Sequence, residues 1–178
     1  MTTKMQMQAG FSMIELMTVV AILAVLAAVA APSFTQLIAN NRIATESNAL
    51  LADLAMARNE ALKRGGTSWV TVCATADGST CSASTDWSTG RLVFVDGGTV
   101  GTVDVADTVL RSSTALTGLS AASAGFATTG YLAYSPTGAI SSASQGTFTL
   151  CKSGYLGRVV TISATGRSLL ANTTGVCP

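Results

Sequence analysis

The chain has 178 residues, enough for one domain, with ten basic and nine acidic side chains and a net charge of +1. That balance excludes a general electrostatic pull towards nucleic acid or anionic lipid. It contains no histidine, which removes the commonest general base and metal ligand.

In chain order, a short polar leader, Met1 to Gly10, carries a single charge, Lys4. Gly10-Phe11-Ser12-Met13-Ile14-Glu15 follows, and after Glu15 no charge occurs until Arg42. The run from Leu16 to Asn41 exceeds the roughly 20 apolar residues that a membrane-spanning helix needs. Glu15 is costly there, because a charge at helix depth carries about 2.5–3.5 kcal/mol on insertion scales. An ordinary secretory signal would be cut near Ala28-Val29-Ala30. The lone Lys4 and the acid inside the apolar run argue against it. Pro32 interrupts the run and predicts a helix kink.

A helical pattern resumes beyond Pro32. Ile43, Ser47, Leu50, Leu54, Ala57 and Ala61 recur every three or four residues, widened by Leu51, Ala55 and Leu62. Arg42, Glu46, Asp53, Glu60, Lys63 and Arg64 read as its polar side. Gly65-Gly66 ends the helix, behind two cations that suit its dipole. Short β-type runs then alternate with Gly-rich turns: 69–73, 90–95, 108–111, 131–134, 147–151, 158–162 and 167–171. Residues 112–129 and 139–146 read as loops or weak edges, and Trp69, Trp87 and Phe94 as core. The expected fold class is α+β.

All four cysteines, Cys73, Cys81, Cys151 and Cys177, lie beyond the apolar segment. In an exported chain an even count reads as disulfides. Neighbour pairing, Cys73–Cys81 and Cys151–Cys177, is the preferred choice among three connectivities. Without histidine or a Cys-x-x-Cys pair, no metal and no cofactor are expected. Asp77, Asp86, Asp96, Asp104 and Asp107 lie in Gly/Ser/Thr-rich loops, where turn formation explains aspartate better than calcium ligation. No Gly-x-Ser-x-Gly or comparable nucleophile motif occurs, so no enzyme activity is expected.

The residues Gly10 to Glu15 resemble the processing site of type IV prepilins and type II secretion pseudopilins, with Met13 where leucine is commoner. Ala57-Arg58-Asn59-Glu60-Ala61, Trp87, Gly90 to Asp96, Gly157-Arg158-Val159-Val160 and Gly166-Arg167 are similar to the GspH/FimT-type minor pilins and pseudopilins. The resemblance implies a type IV pilin-like fold: a long N-terminal helix, transmembrane then amphipathic, packed on an antiparallel β-sheet head. It implies a leader at 1–10, a transmembrane and filament-core helix at 11–38, and a periplasmic head at 39–178 whose helix runs to about 64. A prepilin peptidase/methyltransferase would cleave after Gly10 and methylate Phe11. Glu15 would then neutralise the amine of a neighbouring Phe11 in the filament, and Pro32 would kink the helix.

The partners implied are that peptidase, other pilins or pseudopilins, the inner-membrane assembly platform and the inner membrane. The localisation implied is single-pass, N-terminus cytoplasmic, then filament. The function implied is a structural subunit of a type IV pilus or type II secretion pseudopilus, at or near its tip. The alternative is a pilus-displayed DNA-uptake or adhesion module. Some pilins of this group bind DNA through a C-terminal Gly-Arg-x-Arg motif. Here Gly166-Arg167-Ser168-Leu169 is half of it, supported only by Arg158 and Lys152. Nucleic acid is therefore not an expected partner.

Overall fold

In the computed structural model the described residues are 10–128, 130–141 and 145–177. The leader before Gly10 lies outside them. The chain divides into two units with the boundary between Ile38 and Ala39.

Helix α1 runs from Met13 to Arg64 and is continuous through Pro32, whose side chain lies outside the described residues, as does the expected kink. α1 is long and apolar enough to cross a membrane. In the first unit its large apolar side chains, among them Leu16, Val20, Leu23 and Leu26, are exposed. At the far end Gly65 and Gly66 take left-handed φ values of 61° and 63°. That conformation favours glycine and closes the helix, with Arg64 ion-paired to Glu60 at 2.8 Å.

The second unit is built from the end of α1 and eight strands. These are β1 (Trp69–Ala74), β2 (Arg91–Asp96), β3 (Thr108–Ser113), β4 (Ser120–Ala124), β5 (Tyr131–Tyr134), β6 (Gly146–Cys151), β7 (Leu156–Ile162) and β8 (Ser168–Val176). They form two four-stranded antiparallel sheets, β3-β2-β1-β5 and β4-β6-β7-β8, where the sequence reading anticipated one head sheet. β4 falls in the stretch read as loop or weak edge, and it is an edge strand of small residues.

One core unites the helix and both sheets. Leu50, Leu54, Ala57 and Ala61 of α1 meet Val70, Val72, Val93 and Tyr134 of the first sheet and Phe148, Leu150, Val160 and Ile162 of the second. Trp87 sits edge-on to Phe148, ring centroids 4.6 Å apart, and donates Nε1–H to Ser123 Oγ at 3.1 Å. Ile43 and Ser47 are also buried, Ser47 Oγ donating back to the Ile43 carbonyl at 2.6 Å. Ala55 and Leu62, read as widening the stripe, are exposed. They lie at the flank of the face that meets the sheets.

The central strands of the first sheet, β1 and β2, are buried on both faces, whereas its edge strand β3 is largely exposed. Cys73, Leu92 and Phe94 form a second cluster on its outer side with Cys81, Val103 and Tyr131. That side is covered by the Cys73–Cys81 loop and the 96–107 loop. Aspartates organise both loops. Asp77 accepts the N–H groups of Ser79 and Thr80, each at 2.8 Å, which holds its carboxyl well below the usual range. Asp107 accepts from Gly97 and Asp104, and Asp104 from Thr99. Asp96 is buried and accepts from Thr71 and Gly101; burial raises its carboxyl pKa.

Disulfides join Cys73 to Cys81 and Cys151 to Cys177. Gly157 packs against the second. A Cβ there would meet the Leu150 carbonyl at 2.6 Å and both sulfurs at 2.8 Å. By chain entropy, the 26-residue separation restricts the unfolded state more than the 8-residue one, about 3.5 against 2.5 kcal/mol. The Cys151→Ala/Cys177→Ala pair is therefore expected to lower the urea midpoint more than Cys73→Ala/Cys81→Ala. Equilibrium unfolding of the two variants checks the order.

Candidate functional site

Two regions carry the residues that the sequence singles out. The first is the start of α1. Ser12 is its N-cap: Ser12 Oγ accepts the Glu15 N–H at 3.3 Å, and the Leu16 N–H reaches the Ser12 carbonyl at 3.2 Å. Ser12-Met13-Ile14-Glu15 has the spacing of a capping box, with Glu15 at the third helical position. A carboxylate there also lies at the positive end of the helix dipole. Thr18 Oγ1 donates to the Glu15 carbonyl at 2.9 Å. Among the described residues the Glu15 carboxylate has no hydrogen-bond or ion-pair partner, and Phe11 is 78 % exposed. Gly10 has open space where a side chain would stand. A backbone free of side chain, just ahead of a capped helix, fits entry into a narrow protease site. Beyond it Met13, Ile14, Leu16 and Met17 present apolar surface.

The second region is the C-terminal sheet. Arg158 is half-buried on β7, opposite Asn172. Lys152 is in the β6–β7 turn, its Nζ 5.1 Å from the Tyr155 ring centroid. Arg167 is exposed in the β7–β8 turn, at the opposite end of β7. These three cations do not form one patch. Leu169, in the second arginine position of the half motif, is exposed on β8. Gly166 has a structural role: at φ 76° it packs on the Gly138 carbonyl, leaving no room for a Cβ. Arg58 joins the same two turns, donating Nε–H to the Gly138 carbonyl at 3.0 Å and Nη2–H to the Thr165 carbonyl at 3.1 Å. Burial pushes up the pKa of the nearby Tyr134 phenol. Among the described residues no group of three or more His, Cys, Asp or Glu is arranged to hold a metal ion.

Sequence reading misplaced one group. Asp53, assigned to the polar side of α1, is fully buried and ion-paired to Arg91 at 3.2 Å and to Arg111 at 3.1 Å. The signal was present: Asp53 lies three residues after Leu50 and four before Ala57, on the apolar stripe itself.

A family model described as type II transport protein GspH matches residues 46–166, about two thirds of the chain. The chain belongs to the GspH family. A second model, the prokaryotic N-terminal methylation motif, matches residues 5–31, spanning the Gly10–Phe11 junction and the first part of the apolar half of α1. Two crystal structures of the type IV minor pilin FimU from Pseudomonas aeruginosa strain PAO1 share the fold. One has a TM-score of 0.58 and 24 % identity, covering 74 % of this chain and 90 % of that one. The other crystal form has a TM-score of 0.52 and 26 % identity, covering 72 % and 90 %. No curated protein sequence matches the chain. This GspH-family chain is a minor pilin or pseudopilin subunit. Its family is one of structural proteins. An apolar N-terminal helix in such a family goes with inner-membrane anchoring and incorporation into a filament.

Proposed function

We propose that this GspH-family chain is a non-enzymatic filament subunit that is cleaved after Gly10, N-methylated on Phe11 and assembled through α1. It waits in the inner membrane with its N-terminus cytoplasmic and residues 39–178 in the periplasm. A prepilin peptidase/methyltransferase processes it, and an assembly platform inserts it into a type II secretion pseudopilus or type IV pilus, at or near the tip. The observation that carries this reading is the conjunction at the start of α1. An exposed Gly10–Phe11 junction precedes a capped helix with one carboxylate, Glu15, at the head of an otherwise uncharged apolar surface.

In a bundle of such helices the Glu15 carboxylate faces the Phe11 ammonium of a neighbour. Each charge offsets part of the other's desolvation cost, and the pairing sets the axial register.

Intact mass and N-terminal sequencing of the filament-associated protein test the processing step. The expected product begins at Phe11 with one added methyl group. A product beginning at Ala31 contradicts the proposal and establishes ordinary signal-peptide cleavage.

A further inference from the structure

We propose that the arginine-lined groove between α1 and the β3–β4 segment is a docking site for an acidic side chain of a neighbouring pilin subunit. The groove, about 420 Å³, has Arg42 and Glu46 of α1 on one wall and Arg91, Arg111 and Ala115 on the other. Asp53 holds the two strand arginines. Arg91 Nε binds Asp53 Oδ2 at 3.2 Å with both side chains buried, 3 % and 1 % exposed. Arg111 Nε stands 3.1 Å from Oδ1, yet that oxygen accepts no well-aligned hydrogen bond, and the Arg111 side chain remains 49 % exposed. A single carboxylate is thus shared by two guanidinium groups.

Arg42, across the groove, donates Nη1–H to the Thr117 carbonyl at a long 3.4 Å. Three arginines face two carboxylates, Glu46 and Asp53, which leaves one positive charge. Arg111 meets Asp53 only through Nε, and its terminal nitrogens have no hydrogen-bond partner among the described residues, which leaves them as a planar fork that matches a carboxylate.

Charge and position select the occupant. A nucleic-acid backbone needs several phosphate contacts, and a groove with one net positive charge containing Glu46 suits a single carboxylate better. Arg42 is the first charged residue after the apolar run that ends at Asn41. When apolar helix segments pack together in a filament, the residues that immediately follow them are brought beside the neighbouring subunits. The inference therefore rests on the filament-subunit reading.

The test uses the full chain in cells that assemble filaments, with p-benzoylphenylalanine at Ala115 as the photocrosslinking probe. The expected crosslink is to another pilin, on a peptide containing Asp or Glu. Arg111→Glu and Arg42→Glu are each expected to abolish that crosslink. They should also reduce filament incorporation about tenfold or more, because like charges across an interface repel strongly. The level of processed protein in the membrane should stay unchanged. Arg42→Glu decides the matter if Arg111→Glu lowers that level, since Arg42 is exposed and its one hydrogen bond among the described residues is the long one to the Thr117 carbonyl.

Undiminished incorporation of both variants overturns the inference, as does a crosslink to lipid or nucleic acid or to no pilin. Absence of the wild-type chain from filaments overturns the subunit reading, and the groove inference falls with it.

Discussion

Glu15→Ala is expected to leave cleavage after Gly10 and membrane insertion intact and to remove the chain from filaments. The leader, the Gly10–Phe11 junction and the apolar run are untouched, and the Ser12 cap uses the backbone of residue 15, not its side chain. Losing the carboxylate leaves a neighbour's ammonium unpaired in an apolar bundle. Breaking one half of a buried ion pair costs about 3–5 kcal/mol, which lowers incorporation at equilibrium by more than a hundredfold. Sheared filaments and membranes from mutant and wild-type cells are compared by quantitative immunoblot. Equal filament fractions refute the role given to Glu15.

Asp53→Ala is expected to have the largest effect on the stability of the head. The fragment 39–178 retains the α1 residues that enter the core and is expected to be a soluble monomer without free thiols. Within it Asp53→Ala strands Arg91, whose side chain is only 3 % exposed, without a counter-charge. The expected loss is again about 3–5 kcal/mol, a large part of the stability of a domain this size. Arg111, half exposed, is hydrated when it loses its partner and adds little.

The double variant Asp53→Leu/Arg91→Met is expected to recover much of the loss, because a buried ion pair replaced by apolar side chains of similar volume is often neutral. Urea unfolding of the fragment, arranged as a double-mutant cycle, measures the coupling. An Asp53→Ala fragment as stable as wild type disproves the part given to this ion pair.

The boundary of legibility runs through the same residues. The N-terminal methylation motif is readable because its chemistry is local: a glycine, a cap, one acid and an uninterrupted apolar run, all within 41 residues. The buried stripe of α1 is readable for the same reason, since a helix repeats every 3.6 residues whatever it packs against. Most strands showed themselves through β-type runs between glycine turns. β4 did not, because Ser120–Ala124 has small residues and takes its strand geometry from pairing with β6.

Other features came only from contacts between distant segments. A register shift between Val93 and Phe94 sets Arg111 opposite Val93. Arg111 thereby shares with Arg91 the sheet face that meets α1, and both reach Asp53, 38 and 58 positions away in sequence. No periodicity within α1 or within β3 encodes that meeting. The separation of Arg158 from Arg167 also depends on tertiary pairing, since the length of β7 between the two turns keeps them apart. The sequence by itself determined the long apolar run, the class of fold and the helix face that enters the core, and it placed the expected cleavage junction, because each is written in residues that are neighbours along the chain or one helical turn apart. Only the tertiary structure decided that the head has two sheets, that Asp53 is an internal counter-ion and that three arginines line one groove, because those facts depend on which distant segments share a surface.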